Sequence, residues 1–174
     1  MQHVQEFDQK VALEAILYLA EKSASPTFHH IAKLLYFADR MHLERYGRFI
    51  CGDRYVAMKH GPVPSGVYDM IKAAQNGVQY LCFPDAEGAF DVVGKYTVKP
   101  LRHPNVGWFS SSDLVCLDEA LRKYDRYTFE EMTRMSHDSA WRAADENDFI
   151  SIEAIVASLG NPSGLLEQVT NPHP

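Results

Sequence analysis

Residues 28–45 are the feature of the sequence that most restricts how this chain can fold. Apolar residues recur there at steps of three and four and also occupy positions between, so a helix formed here is apolar over most of its circumference. Such a helix is usually central, because other elements must cover nearly every side of it. Asp39 and His42 interrupt this surface, and His42 lies on the core stripe itself. Buried polar groups need hydrogen-bond partners, so the pair predicts polar anchors that hold the helix to a neighbouring segment.

Periodicity, capping residues and turn residues predict the elements around this helix. Residues 8–22 repeat apolar side chains at four-residue spacing, which predicts an amphipathic helix, and residues 54–59 alternate between apolar and polar, which predicts a strand. Two prolines within residues 61–65 predict a rigid turn, because proline fixes its own φ and restricts the residue before it. Residues 90–98 predict a hairpin with a two-residue turn at Gly94-Lys95. Further helices are predicted at residues 65–72, 114–124, 129–135 and 152–159, with a short helical turn around residue 141.

These elements place the fold in the α+β class, mainly helical: a compact helical domain around a central buried helix, with a small antiparallel sheet or hairpin. The chain has 174 residues, of which 46% are hydrophobic, and this is enough for one real core. We expect a single domain over residues 1–160. The last fourteen residues, 161–174, include three prolines and predict a loose C-terminal tail.

Charge and cysteine usage limit the classes of partner and compartment. The formal net charge of −6 argues against a dedicated nucleic-acid binder, whose affinity depends on neutralising phosphates. The basic cluster at residues 122–126 is short and interrupted, and is typical of a helix C-terminus that complements the helix dipole. The three cysteines form no C-x-x-C motif, which fits a reducing compartment. No apolar run approaches the roughly eighteen residues of a membrane span, so we expect a cytoplasmic protein that contacts no membrane.

The residues that could carry chemistry form no recognised catalytic or metal motif. The eight histidines include no H-E-x-x-H and no spacing that completes a tetrahedral site, so we expect no metal. Ser136, His137 and Asp138 are consecutive, whereas a working triad needs the imidazole between nucleophile and acid in space; they are typical of a helix cap. Glycine motifs for phosphates or dinucleotides are absent, so we expect no cofactor. Asp39, His42 and His137 remain an alternative catalytic set.

Three stretches of the sequence, taken together and in order, indicate a protein family more specifically than any one of them does. They are KLLYFADRMHLERYGR at residues 33–48, GDRYVAMKHGPVPSGVYDMIK at residues 52–72 and MSHDSAWR at residues 135–142. In this order they resemble the Panacea domain, the SocA-like antitoxin family first grouped with phage-associated GepA proteins. The resemblance covers about residues 12–143, which is most of the chain.

The resemblance implies a non-catalytic antitoxin of a bacterial or phage toxin–antitoxin pair. Members of the family bind a toxin encoded by a neighbouring gene and block it through direct protein–protein interaction. At least one branch is an adaptor that delivers its toxin to a protease, which makes a cytosolic AAA+ protease a further candidate partner. The toxins are unrelated to one another, so membership does not name the toxin. Two alternatives stay open: a small winged-helix-like DNA-binding regulator, and an enzyme that uses the catalytic set named above.

The candidate site residues fall into two groups. The first lies near short connections and is rich in the Tyr and Arg that interfaces favour, so we expect it to contact the partner. The second contains structural polar anchors, with Asp39 and His42 expected to hold the central helix to the loop at residues 46–53 and to the Gly-Pro-Val-Pro turn. The expected partner-binding residues are Tyr46, Arg48, Tyr55, His60, Val63 and Tyr68. The expected anchors are Asp39, His42, Asp53, Ser136, His137 and Trp141.

Overall fold

A central helix and the elements that cover it make up the structure, a computed structural model that describes residues 5–160 and 164–170. Within these residues, two antiparallel two-stranded sheets accompany the helices, which confirms the mainly helical α+β class. The helices are α1 (Gln9–Lys22), α2 (Phe28–Tyr46), α3 (Ser65–Gln75), α4 (Gln79–Cys82), α5 (Ser111–Tyr124), α6 (Phe129–Ser136), α7 (Ser139–Arg142), α8 (Ile152–Ala157) and α9 (Leu165–Thr170). The strands are β1 (Tyr55–Met58), β2 (Gly61–Pro64), β3 (Phe90–Val93) and β4 (Thr97–Pro100), and short 3₁₀ turns lie at Pro84–Ala86 and Val106–Trp108.

Helix α2 lies at the centre, as the sequence predicts, because it is apolar on nearly every side. Its residues from His30 to Asp39 are buried without interruption, and α1, α5, α6 and β2 pack around it. Thr27 caps the first turn by accepting the His30 N–H. Gly47 ends the helix in the left-handed conformation, which glycine adopts without steric strain. The helix is one residue longer than predicted and ends at Tyr46.

Helix α1 is buried more completely than its amphipathic pattern predicts. The residues from Val11 to Ala20 are all buried, including Glu14. The Glu14 carboxylate accepts two hydrogen bonds from Arg102, at 2.7 and 3.0 Å, and one from the Asn105 N–H at 2.6 Å. Both of its oxygens therefore have partners, which burial of a charged group requires.

The Gly-Pro-Val-Pro segment is strand β2 and not the rigid turn that its prolines predict. It pairs with β1 in antiparallel register, with Gly61 opposite Met58, and the turn consists of Lys59 and His60. Alternate residues of an antiparallel strand direct their N–H away from the partner strand. Both prolines occupy such positions, so their missing N–H groups remove no hydrogen bond from the ladder.

Residues 147–150 cover the other edge of β1. The Ala57 N–H donates to the Asp148 carbonyl oxygen at 2.9 Å, and the Ile150 N–H donates to the Tyr55 carbonyl oxygen at 2.8 Å. Strand β1 is therefore hydrogen-bonded on both edges, and this fixes the position of the β1–β2 turn.

The predicted second hairpin is present, with a turn of three residues where the sequence predicts two. Val93 pairs with Thr97, which leaves residues 94–96 in the turn. The Tyr96 carbonyl oxygen accepts the Phe28 N–H at 2.8 Å, so this residue is engaged with the start of α2 and is not available to the β3–β4 ladder.

Helix α9 lies within the segment that the sequence predicts to be a loose tail. Its first residue, Leu165, is buried, and α9 packs against α8. The neighbouring residues 161–163 and 171–174 lie outside the described residues. Among the helices of the described ranges, none combines the length and apolar character needed to cross a lipid bilayer.

Substitution of Gly61 tests how tightly the β1–β2 turn is packed. Gly61 has φ +110°, and a Cβ added there would lie 2.7 Å from Lys33 Cε and in contact with Ser136 Oγ. We expect Gly61→Ala to lower the free energy of unfolding by more than about 2 kcal/mol, because backbone strain is combined with a clash against buried groups. Urea denaturation measures the loss.

Gly94→Ala is the matched control. Gly94 also has a positive φ, +61°, but nothing lies within 4 Å of the added Cβ. Backbone strain alone should then lower the free energy of unfolding by about 1 kcal/mol. Equal losses in the two variants would contradict a role for packing at Gly61.

Candidate interaction surface

Asp39 is a fully buried carboxylate that ties α2 to the segment after it. It accepts a hydrogen bond from the Ile50 N–H at 2.7 Å and another from the Tyr55 hydroxyl at 2.6 Å. Burial raises the pKa of Asp39 to about 7, while the two hydrogen bonds act in the opposite direction. One side chain thus joins α2, the loop at residues 47–54 and β1.

His42 joins α2 to the same loop and also to α5. Its Nδ1 lies 2.8 Å from the Arg48 carbonyl oxygen, and because a carbonyl only accepts, Nδ1 is the donor. Its Nε2 lies 2.9 Å from the Ser112 hydroxyl and 3.2 Å from an Asp113 carboxylate oxygen. Burial alone raises the pKa of Asp113, but the hydrogen bond with His42 and the charge of Arg48 help to lower it overall, to about 2.

Asp53 caps helix α3 from outside the helix. Its carboxylate accepts the N–H groups of Gly66 at 2.8 Å and Val67 at 2.9 Å. The residue before the helix, Pro64, has no side-chain oxygen to do this, so the distant carboxylate replaces a local cap. Burial raises the pKa of Asp53, and these backbone hydrogen bonds oppose the rise.

Lys33 lies fully buried beneath the β1–β2 turn. Its Nζ donates to the Pro62 carbonyl oxygen at 2.8 Å, and its side chain fills the space beside Gly61. Burial lowers the pKa of Lys33 to about 7. Lys33 therefore joins α2 to the Gly-Pro-Val-Pro segment, a contact that the sequence analysis assigned to Asp39 and His42. Asp39 and His42 instead reach the loop, β1 and α5.

Ser136, His137 and Trp141 lie against the same turn. The buried Ser136 hydroxyl donates to the Thr133 carbonyl oxygen at 3.1 Å. The His137 ring stacks on Trp141 with 3.7 Å between centroids, and the Trp141 indole N–H donates to the Met58 carbonyl oxygen at 2.9 Å. The stacked pair thus closes the side of the turn next to α7.

The alternative catalytic set is not joined by hydrogen bonds. Asp39 and His42 contact different partners, and His137 stacks on Trp141. The described residues also contain no cluster of three or more His, Cys, Asp or Glu side chains that could hold a metal ion.

Four of the six expected partner-binding residues reach solvent, at three separate places. Tyr46 is 46% exposed and lies with the partly exposed Arg48 at the end of α2. His60 is exposed in the β1–β2 turn. Tyr68 lies on α3 with its ring 5.4 Å from that of Phe28, and both line a cleft of about 130 Å³. The four side chains therefore do not form one continuous patch.

The other two expected partner-binding residues are buried, which corrects the prediction for them. Tyr55 is 1% exposed because its hydroxyl is directed to Asp39. Val63 is 7% exposed because β2 packs against α2 and α6. Neither side chain is available to a partner in this conformation.

A groove of about 750 Å³ opens beside the loop that follows α2. Its lining includes Leu43 of α2, Phe49 of the loop after α2 and Phe149 of the segment before α8. Arg54 stacks its guanidinium on the Phe149 ring at 3.7 Å from the centroid. The lining comes from segments about a hundred residues apart in sequence, so no local pattern predicts the groove.

Lys33 is a site residue that the sequence analysis missed. Lysine is rarely buried, so the residue type alone does not indicate a position in the core. A signal was present, because the positions three and four residues away hold His29, His30, Tyr36 and Phe37 and no acidic partner. A lysine without such a partner on an apolar helix is compatible with burial.

Comparison with known families identifies the domain that contains these anchors. The family model described as antitoxin SocA-like, Panacea domain, matches residues 31–142, more than half of the chain. The chain belongs to this family. Comparisons with curated proteins and with solved structures give no significant match. The matched part of the Panacea domain runs from α2 to α7 and includes Asp39, His42 and Asp53, whereas α1, α8 and α9 lie outside it.

Lys33 makes the stability of this Panacea domain depend on pH with a definite sign. Its pKa is about 7 in the folded protein and about 10.5 when unperturbed, so between these values the unfolded state binds more protons and stability rises with pH. Lys33→Met keeps the apolar length of the side chain and should remove this contribution. From pH 7 to about pH 9, the wild type should gain roughly 1 kcal/mol per pH unit relative to the variant. Urea denaturation across this range measures the difference, and a constant difference would contradict the assignment.

Proposed function

We propose that this protein is the antitoxin of a bacterial or phage toxin–antitoxin pair and neutralises a toxin encoded beside it by direct binding. The observation that carries the proposal is the match of residues 31–142 to the SocA-like antitoxin family. Family membership supports the toxin–antitoxin role in general. Direct contact with the toxin, without catalysis by this chain, is the step that we add.

The way the loop after α2 is held supports a binding role. Asp39 accepts the Ile50 N–H, and His42 donates to the Arg48 carbonyl oxygen. Asp53, near the end of the loop, is hydrogen-bonded to the start of α3. The backbone is thus ordered before any partner arrives, and binding to an ordered surface avoids the entropic cost of ordering it.

We assign the contact to the exposed members of the predicted set: Tyr46, Arg48, His60 and Tyr68. Tyrosine and arginine are enriched among the residues that dominate interface energies. The toxin contact does not require all four, because they lie at three places. We place the complex in the cytosol, and we extend the proposal to delivery of the toxin to a cytosolic AAA+ protease.

Co-expression with the adjacent open reading frame tests the proposal. If the neighbour inhibits growth of a bacterial host, this chain should restore growth and co-purify with the neighbour's product. A harmless neighbour would contradict the antitoxin role. Rescue without a complex would contradict direct neutralisation.

Substitution of an exposed tyrosine separates binding from stability. We expect Tyr46→Ala to weaken the complex about tenfold while leaving the melting temperature nearly unchanged. Tyr80→Ala removes a ring of similar exposure, 55%, from α4 and should change neither quantity. Asp39→Ala should instead lower the melting temperature, because two buried donors lose their acceptor. If His42→Ala keeps the wild-type stability yet abolishes rescue, its role as an anchor is wrong.

Delivery to a protease makes a separate prediction. If this chain is an adaptor, the half-life of the toxin in the host should shorten when the antitoxin is present. Deletion of the AAA+ protease genes should restore the half-life measured without the antitoxin. An unchanged half-life would limit the mechanism to binding.

A further inference from the structure

We propose that the groove beside the loop after α2 binds an apolar segment of the toxin that carries basic residues, an inference that rests on the proposed function. The groove has a volume of about 750 Å³, within the range of roughly 300–1,000 Å³ that is typical of ligand-binding clefts. Arg48 lines it, and Tyr46 directly precedes Gly47, which also lines it. The groove is therefore continuous with the toxin contact proposed at the end of α2.

Two parts of the chain that are far apart in sequence form most of the lining. One part is the loop after α2 together with the start of β1, and the other lies between Phe149 and Ile155. The first part lies inside residues 31–142, which match the family, and the second lies outside them. We assign selectivity for this chain's own toxin to the second part, because the family match does not determine it.

Both parts of the lining are held in place by hydrogen bonds within the protein. Asp39 and His42 hold the loop after α2, as described above. The Ile150 N–H donates to the Tyr55 carbonyl oxygen at 2.8 Å, which fixes the second part against β1. The Ser151 hydroxyl caps α8 by accepting the Ala154 N–H at 3.1 Å. The groove is thus formed before a partner arrives, and binding does not have to order it.

Apolar side chains reach solvent inside the groove. Phe149 is 41% exposed, and Ile152 and Val169 are partly exposed, while Leu43 and Ile155 are buried beneath them. Protein interfaces commonly combine an apolar centre with a polar rim. The apolar surface of the groove therefore fits an apolar side chain of the partner.

Exposed carboxylates lie at the rim of the groove. Glu6 and Glu153 belong to its lining, and Asp148 directly precedes the groove-lining Phe149. All three are exposed, and within residues 5–160 and 164–170 none of them takes part in a salt bridge. Exposed carboxylates are charged at neutral pH, so these side chains place negative charge around the apolar surface.

The arginines of the lining do not cancel this charge. Arg48 is already paired with Asp113, at 2.9 Å. Arg54 has no salt-bridge partner in the described part of the chain, and its guanidinium stacks on the Phe149 ring. One arginine therefore stands against three exposed carboxylates.

The sign of this charge determines the kind of partner. Lysine or arginine residues of a partner would complement the rim, whereas a nucleic acid would be repelled both by the rim and by the net charge of −6. The fitting occupant is a toxin segment in which Lys or Arg residues flank an apolar side chain.

Charge reversal at Glu153 tests the acidic rim. Glu153→Lys should weaken toxin binding at least about tenfold, because the basic toxin segment would then meet a like charge. Glu130→Lys is the matched control, since each glutamate is the exposed second residue of its helix and α6 contributes no residue to the described lining. The control should bind like the wild type. Calorimetry on purified proteins at physiological salt measures both affinities, and circular dichroism checks that both variants are folded.

Truncation of Phe149 tests the apolar surface. Phe149→Ala should weaken toxin binding about tenfold, whereas Phe149→Leu keeps an apolar side chain and should retain most of the affinity. Tyr80→Ala removes an exposed ring outside the described lining and should bind like the wild type. If Phe149→Ala and Phe149→Leu lose affinity equally, an apolar contact at this position is wrong.

A compensating change identifies the occupant. Lys→Glu and Arg→Glu substitutions scanned across the toxin should include one that restores affinity for Glu153→Lys and weakens binding to the wild type. A scan without such a substitution would contradict a basic occupant.

The failure of this inference is distinguishable from the failure of the proposed function. If Glu153→Lys and Phe149→Ala both bind the toxin like the wild type, the groove is not the contact, while the proposed function stands. Equal losses in Glu153→Lys and Glu130→Lys would also overturn the inference, because binding would then depend on overall charge and not on the groove. If the wild type itself forms no complex, both proposals fail.

A second copy of this chain is the remaining candidate occupant. Sedimentation velocity should show the same oligomeric state for the wild type and for Phe149→Ala. A wild-type dimer that Phe149→Ala dissociates, with toxin binding unchanged, would overturn the inference and assign the groove to self-association.

Discussion

The burial of α2 on every side is the constraint on which the rest of the structure depends. Helices α1, α5 and α6 and strand β2 all pack on it, so Lys33, Asp39 and His42 lie in the core, whereas Glu44 and Arg45 near its C-terminal end are exposed. A buried polar group without a partner destabilises the fold by about 1–3 kcal/mol. Asp39 and His42 avoid this loss by hydrogen bonds to the loop after α2, and Lys33 avoids it by a hydrogen bond to strand β2. The central helix thereby determines where those segments lie.

Much of the fold follows from local patterns, and the differences have physical causes. The extent of α2 and the capping of α5 and α6 by Ser110 and Thr128 follow from periodicity and from the side-chain oxygens that caps require. Strand β2 does not follow from a local pattern. A proline is tolerated in a strand only where its nitrogen points away from the partner strand, and such positions alternate along the strand. That position is set by pairing with β1, which no local pattern contains.

The candidate site was predictable where a residue type is unusual in its surroundings. Asp39 and His42 stood out on an apolar stripe, and a need for partners followed from that position alone. The burial of Tyr55 and Val63 could not be predicted in this way, because it depends on which elements pack over β1 and β2.

Asp39, His42 and Lys33 share one property, which is that each has a main-chain hydrogen-bond partner. Asp39 accepts the Ile50 N–H, His42 donates to the Arg48 carbonyl oxygen, and Lys33 donates to the Pro62 carbonyl oxygen. A peptide group is present whatever side chain the residue carries. The outward-facing side chains of the loop and the turn can therefore be substituted during evolution while these hydrogen bonds are retained. A scaffold held in this way can acquire new recognition chemistry without first redesigning its core.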